Sequence, residues 1–230
     1  MSIINLYGCS FTENLMGLNV MNSFTPLGCE VVNYGKRSSS NSTIYKKIEK
    51  TAQPNSILVI QWSALTRPMD DDWYLTKSDN ALYDLLERWY LVLDKTQELA
   101  IKRNLQLVQY IGWSMWKDDE LNDYHRQKLN SYGITWFKSS ECLDIIESNC
   151  VQLQTSEYWI RYRGDGLFHW DDLTWGGWSE WVRENVEMSK RYMGRIHKGD
   201  NNIDPHPSAY ASKRFIEEVV LGLINEKLKK

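Results

Sequence analysis

The sequence lacks a charge excess, a long apolar run and a paired-cysteine motif. Its 230 residues carry 27 lysines and arginines against 30 aspartates and glutamates, for a net charge of −3. Without a basic excess, we expect it to bind neither nucleic acid nor an anionic membrane. No apolar stretch approaches the roughly 20 residues that span a bilayer, and the first residues do not resemble a signal peptide. We therefore expect a cytoplasmic protein.

The four cysteines have no C-x-x-C spacing, which argues against a zinc site. In a cytoplasmic protein such residues are expected to be reduced thiols, most of them buried. The sequence predicts no metal site and no organic cofactor. The cysteines are Cys9, Cys29, Cys142 and Cys150.

Tryptophan and tyrosine are abundant, with 11 and 13 copies. Between about residues 140 and 200 the alternation of strand and helix patterns breaks, and tryptophans and glycines dominate. We interpret this stretch as an insertion before the last helix of a single domain that spans residues 1–230. Its aromatic side chains could fill a core or lid, stack on sugars or contact a protein, and these alternatives stay open. The tryptophans are Trp159, Trp170, Trp175, Trp178 and Trp181.

Apolar runs followed by turn residues predict five strands of a buried parallel sheet. Helical periodicity between the runs predicts a three-layer α/β/α fold with a five-stranded, flavodoxin-like sheet. The predicted strands are Ile3–Tyr7, Glu30–Tyr34, Ser56–Gln61, Leu105–Ile111 and Gly133–Phe137. The predicted helices are Ala81–Arg103, Asp118–Ser131 and a last helix that begins near Pro207–Ser208.

Two details of these helices can be tested directly. The last helix is predicted to place Tyr210, Ala211, Phe215, Val219 and Leu223 on one stripe. Ile216, Val220 and Ile224 are predicted to lie beside that stripe. The second helix, Asp118–Ser131, is polar, so its His125 is expected on the surface.

Ligands of open parallel sheets bind at the carboxyl ends of the strands. Four segments rich in small, hydroxyl-bearing or titratable residues lie at such positions or just before the last helix. They are Gly8–Thr12, Asn33–Asn41, Gln61–Arg67 and Asp204–Pro207.

These four segments together resemble the blocks of the SGNH (GDSL-like) hydrolase superfamily. Gly8-Cys9-Ser10-Phe11-Thr12 resembles the first block, and Asp204-Pro205-His206-Pro207 resembles the last. The resemblance implies that Ser10 is the nucleophile, that His206 is its base and that Asp204 orients the imidazole.

The resemblance also implies an oxyanion hole, built from the backbone N–H of Ser10 and one from the second block, where Ser38 aligns with the family's glycine. The third-block asparagine of the family is missing, and Ser63 or Gln61 occupies its neighbourhood. The second-block Asn41 and the third-block Arg67 complete the predicted site.

The sequence thus predicts a serine esterase that cleaves O-acyl esters through an acyl-enzyme. An O-acetyl carbohydrate is the expected substrate, and a thioesterase or lipase is a further reading within the superfamily. The rival hypothesis is a non-catalytic binding or structural module, because Gly-Cys-Ser-Phe-Thr openings resemble SGNH-like proteins of tailed phages. That hypothesis predicts a role in a virion or in host-surface recognition. Apart from an ester substrate, the partners considered are a virion and further copies of this chain.

Overall fold

The computed structural model of this chain describes residues 3–17, 20–37, 39–63, 81–112, 122–135, 181–182, 185–187, 190, 192–195 and 203–229. The strands are β1 (Ile3–Tyr7), β2 (Glu30–Asn33), β3 (Ile57–Trp62), β4 (Gln106–Ile111), β5 (Ile134–Thr135), β6 (Tyr192–Arg195) and β7 (Ile203–Pro207). The helices are α1 (Ser10–Gly17), a 3₁₀ helix (Val20–Leu27), α2 (Asn41–Thr51), α3 (Ala81–Arg103), α4 (Asp123–Ser131), α5 (Ala209–Phe215), a π-helical turn (Ile216–Val220) and α6 (Leu221–Leu228).

The main sheet has the strand order β2-β1-β3-β4-β5, and every neighbouring pair is parallel. This is a doubly wound order, in which the chain leaves the centre of the sheet in both directions. The α/β class and the parallel sheet are therefore confirmed. The expectation of five full strands is met only in part, because four strands have four to six residues whereas β5 has two.

Helices cover both faces of the sheet. One apolar core joins alternate residues of β1, β3 and β4 to α1, the 3₁₀ helix, α5 and α6. The other core joins the remaining strand residues to α2, α3 and α4. All six side chains of β3 are buried, as expected for a central strand with a helical layer on each side. The predicted layers therefore agree with the main sheet and its helices, whereas β6 and β7 form a separate antiparallel pair that was not predicted.

The last helix departs from its predicted pattern. Its N-cap is Ser208, whose hydroxyl accepts a hydrogen bond from Ala211 N. Its buried apolar residues are Ala211, Phe215, Ile216, Val220 and Ile224, and the polar Ser212 is buried as well. A π-helical turn has more residues per turn than an α-helix, so it moves the apolar stripe along by about one residue. Val220 and Ile224 are therefore buried, whereas Val219 and Leu223 are only partly buried. Tyr210, predicted on the stripe and located before this turn, is 48% exposed.

His125 is buried, and the prediction of a surface position was wrong. Its Nδ1 lies 2.9 Å from the hydroxyl of Tyr90, and its ring stacks on Tyr83 with a centroid separation of 4.6 Å. One turn further along α4, Leu129 is also buried. The two residues form the narrow inward face of a helix whose other residues are mostly polar.

The Trp-rich insertion lies largely outside the described residues, as do Cys142 and Cys150. Of its tryptophans the structure describes Trp181, which is buried with its ring edge-on to Phe215 at a centroid distance of 5.2 Å. This one tryptophan is a core residue. The described helices include none with the length and low polarity needed to cross a bilayer.

Candidate active site

The first and third predicted blocks meet because β1 and β3 are adjacent. Tyr7 pairs with Ile60, so the turn that follows β1 lies beside the last residues of β3. In this turn Ser10 begins α1, and the residue is 5% exposed. The Oγ atom of Ser10 lies 4.0 Å from the Sγ atom of Cys9. A helix N-terminus favours negative charge, which suits the alkoxide character of an attacking serine.

Gln61 bridges the end of β3 and the turn that carries Ser10. Its Oε1 accepts hydrogen bonds from Thr12 Oγ1 at 3.0 Å and from Cys9 N at 3.3 Å. Its Nε2 donates to the carbonyl oxygen of Trp62 at 3.0 Å. Both ends of this buried amide are therefore engaged by the protein itself.

Hydrogen bonds hold the segment after β2 against the start of α1. Asn33 Nδ2 donates to Thr12 O at 2.7 Å, and Asn33 Oδ1 accepts from Gly35 N at 2.8 Å. Lys36 N donates to Gly8 O at 3.1 Å. The Asn-x-Gly sequence thus forms a side-chain-closed turn, and this turn holds the second block beside the first.

An exposed ion pair between Arg37 and Glu13 also links the segment after β2 to α1. Arg37 donates to Glu13 Oε2 through its backbone N at 3.1 Å and through its Nε at 2.9 Å. Sequence reasoning missed Glu13, and its place one turn after Ser10 was the available signal. At 75% and 37% side-chain exposure the pair contributes little to stability, so its effect is mainly to orient the loop.

Asn41 joins the start of α2 to the segment that leaves β3. Its Oδ1 accepts a hydrogen bond from Ser63 N at 2.7 Å, and its Nδ2 donates to Ser63 O at 3.1 Å. Both residues are buried. The Ser63 hydroxyl is buried too, and no described residue offers it a hydrogen-bond partner. The amide therefore fixes the backbone of Ser63 and leaves its hydroxyl available.

The Asp204 and His206 positions belong to β7, a strand that is absent from the five predicted ones. β7 pairs antiparallel with β6, and Gly194 lies opposite Asp204. Cα atoms of β7 approach Cα atoms of α1 within 8 Å. The fold therefore brings the backbone of the last block close to the helix that Ser10 begins. Ser38 and Arg67 lie outside the described residues.

The buried tyrosines near this end of the sheet stay protonated at neutral pH. Burial raises the pKa of Tyr7 to about 12, although its hydrogen bond to Thr51 acts in the opposite direction. Burial also raises the pKa of Tyr110, at the end of β4. Neither phenol can therefore serve as a base near neutral pH. Among the described residues, no group of three or more histidines, cysteines and acids is placed to hold a metal ion.

Comparisons with known proteins identify no family for this chain. No family model and no curated protein matches it. Among solved structures, a proposed acylhydrolase from Bacteroides fragilis NCTC 9343 matches with a TM-score of 0.42 at 11% identity, covering 99% of this chain and 88% of that one.

Two further solved structures are similar at the same low level. LAE5, an alpha/beta hydrolase enzyme from the metagenome of Lake Arreo, Spain, has a TM-score of 0.41 at 11% identity, and the match covers 97% of this chain and 95% of that one. The lipase/acylhydrolase from Enterococcus faecalis has a TM-score of 0.30 at 12% identity, over 65% of this chain and 80% of that one. Similarities this weak say nothing about the activity of this chain.

Proposed function

We propose that this chain is a serine esterase of the SGNH type, with Ser10 as nucleophile, His206 as base and Asp204 as the residue that orients the imidazole. The observation that supports it is the approach of β7 to α1. Two segments almost two hundred residues apart in sequence, one carrying the hydroxyl and the other the imidazole, become neighbours. That adjacency is what a nucleophile and its base require.

The proton transfers of the reaction involve the ester, water, Ser10 and His206. Ser10 Oγ attacks the acyl carbon while its proton moves to His206, which gives a tetrahedral oxyanion. Collapse of this intermediate breaks the bond to the alcohol oxygen, which takes the proton from His206. Water, deprotonated by His206, then attacks the acyl-enzyme, and the acid leaves as Ser10 regains its proton.

The oxyanion requires donors at the carboxyl ends of β1 and β3. We assign this role to the backbone N–H of Ser10, to the second-block N–H at Ser38 and to the Ser63 hydroxyl. The Ser63 hydroxyl is preferred to Gln61 because it has no partner among the described residues, whereas the Gln61 amide is already bonded. Asn41 supports the Ser63 backbone. One such donor contributes about 10²- to 10³-fold in rate.

The substrate proposal is an O-acyl ester, with an O-acetyl carbohydrate as the preferred case. It rests on the family resemblance and on the wealth of aromatic residues, since aromatic faces can stack on sugar rings. Arg67, in the third block, is proposed to line the same pocket. Release of acetate from acetylated xylan, pectin and sialic acids would identify the alcohol.

The decisive experiment compares hydrolysis of p-nitrophenyl acetate by the wild-type protein, Ser10→Ala and Ser56→Ala. Ser56 is a buried serine at the opposite end of β3, where its hydroxyl donates to Gln53 O, so it is the matched control. We expect kcat to fall about 10³-fold or more in Ser10→Ala, since residues of a triad act as a unit. Ser56→Ala should keep wild-type kcat. Equal rates for wild type and Ser10→Ala would refute the proposal.

The non-catalytic module remains the second candidate because Ser10 is largely buried. A residue that is 5% exposed, with its hydroxyl beside Cys9 Sγ, suits a packed turn as well as a reactive one. A fluorophosphonate probe separates the two functions. Covalent labelling of the wild type but not of Ser10→Ala supports the esterase, whereas sugar binding without labelling supports the module.

A further inference from the structure

We infer that Gln61 is a positioning residue, whose buried side-chain amide holds the turn between β1 and α1 in the geometry that Ser10 needs. The inference rests on the proposed function, because it concerns the same nucleophile. It assigns to Gln61 a role other than oxyanion donation.

The hydrogen bonds of Gln61 lie on both sides of Ser10. Gln61 Oε1 accepts from Cys9 N, one residue before Ser10, and from Thr12 Oγ1, two residues after it. A single oxygen atom thus fixes the chain on both sides of the nucleophile. Because Gln61 belongs to a fully buried central strand, this oxygen has little freedom to move.

The Gln61 amide is held in one orientation by two backbone groups. Cys9 N needs an acceptor and the carbonyl oxygen of Trp62 needs a donor, whereas the Thr12 hydroxyl can serve as either. Gln61 Nε2 lies 3.0 Å from that carbonyl oxygen and 3.4 Å from Cys9 Sγ. A rotated amide would place the N–H₂ group against the Cys9 N–H. The hydrogen-bond network therefore determines which atom faces Ser10's turn.

Two neighbouring glycines leave the space that the Gln61 side chain occupies. A Cβ atom on Gly8 would lie 2.7 Å from Gln61 Oε1 and would clash with Thr12. A Cβ atom on Gly112, at the end of β4, would overlap Gln61 Nε2. The two strands that flank β3 are thus each followed by a glycine beside Gln61. The Gln61 side chain needs both glycines for steric reasons.

The consequence for the reaction is geometric. A misplacement of about 1 Å in an attacking atom can cost roughly 10²-fold in rate. Removing the Oε1 acceptor would free the turn on both sides of Ser10 without touching the substrate. We therefore expect kcat to fall while KM stays close to the wild-type value.

The test compares Gln61→Met with Gln109→Met in the full-length chain. Gln109 is the matched control: it is buried in the neighbouring strand, its Oε1 accepts from Trp62 Nε1 at 3.0 Å, and its Nε2 donates to Tyr132 O at 2.8 Å. Both substitutions remove a buried amide, so both should lower Tm. We expect kcat on p-nitrophenyl acetate to fall about 10- to 100-fold in Gln61→Met and less than about threefold in Gln109→Met. Equal kcat losses in the two variants would overturn the inference.

Gln61→Glu provides a second readout that does not depend on the methionine variant folding. Its carboxyl group can accept from Cys9 N in either state, but only the protonated form can donate to Trp62 O as glutamine does. Burial raises the pKa of such a carboxyl. We therefore expect the ratio of variant to wild-type kcat to rise as the pH falls from about 8 to about 5.5. A ratio independent of pH would contradict the inference.

Amide hydrogen exchange separates this inference from the proposed function. We expect the amides of residues 9–12 to exchange at least tenfold faster in Gln61→Met than in Gln109→Met. That result would support the positioning of the turn even if the wild type hydrolysed no ester, in which case only the proposed function would fail. Conversely, an active wild type with unchanged exchange and kcat in Gln61→Met would refute the inference and leave the esterase intact.

Discussion

At the scale of single residues, Asn41 shows how one buried amide holds two segments together. Its side chain satisfies both the N–H and the carbonyl group of Ser63. A buried polar group that loses its partner costs about 1–3 kcal/mol, because it cannot recover its bonds to water. Ser63 therefore owes its fixed position to a residue 22 positions earlier in the chain.

We predict that Asn41→Ala lowers the free energy of unfolding by about 2–4 kcal/mol, since it orphans two buried backbone groups. Asn41→Asp keeps an acceptor for Ser63 N but in its ionised form offers no donor to Ser63 O, so it should also lower stability. Chemical denaturation measures both values. The control is Asn225→Ala, since Asn225 is an exposed residue of α6, and its variant is expected within about 0.5 kcal/mol of wild type. A loss of stability no larger in Asn41→Ala than in this control would show that the two hydrogen bonds between Asn41 and Ser63 do not stabilise the fold.

For Gln61 the sequence predicted the position of the residue but not its role. The end of an apolar run placed it correctly at the carboxyl end of a strand, near Ser10. Its role could not be predicted, because the partners of its amide come from Cys9 and Thr12, about fifty residues earlier. A sequence shows that a glutamine is present, but only the fold shows which of its atoms are already bonded.

At the scale of elements, α4 depends on a buried histidine. Burial lowers the pKa of His125 below its ordinary value of 6.5, Lys128 acts in the same direction, and Glu87 opposes them. His125 also lies in the first turn of α4, where Asn122 accepts from its backbone N, and a helix N-terminus disfavours positive charge. The folded state therefore prefers the neutral ring.

We predict that Tm falls between about pH 6.5 and pH 5 more steeply in the wild type than in His125→Gln. A lowered pKa means that the unfolded chain binds the proton first, so this contribution is complete above pH 6.5 and is lost as the pH falls. Glutamine can accept from the Tyr90 hydroxyl but does not titrate in this range. Thermal unfolding at a series of pH values measures the difference, and parallel curves would contradict the prediction.

Element prediction succeeded where one periodicity governed the whole segment. The apolar spacing from residue 81 to 103 predicted α3 with the bounds that the structure has. It failed where the backbone departs from a regular helix and where a strand has no apolar run. The turn Ile216–Val220 is π-helical, and Asp204 and His206 lie in a strand whose pairing partner, β6, carries no apolar run. Neither feature has a local signal that distinguishes it from a regular helix or a loop.

At the scale of the whole described architecture, the sheet couples two separate cores. Ile224 of α6 lies in the core on one face, and Leu86 of α3 lies in the core on the other. The same strands supply alternate residues to both cores. A helical layer that detached from either face would expose the apolar side chains of β3, so the two cores are expected to unfold together.

We therefore predict that Ile224→Ala and Leu86→Ala each lower stability by about 2–5 kcal/mol, since both side chains are fully buried. In the double variant the losses should add within about 0.5 kcal/mol, because the sheet separates the two sites and they share no partner. Far-ultraviolet and near-ultraviolet circular dichroism should follow the same transition in every variant. Ile101→Ala is the control, since Ile101 is 83% exposed and its removal should change stability by no more than about 0.5 kcal/mol. Two separate transitions in either single variant would mean that the layers unfold independently and that the sheet does not couple them.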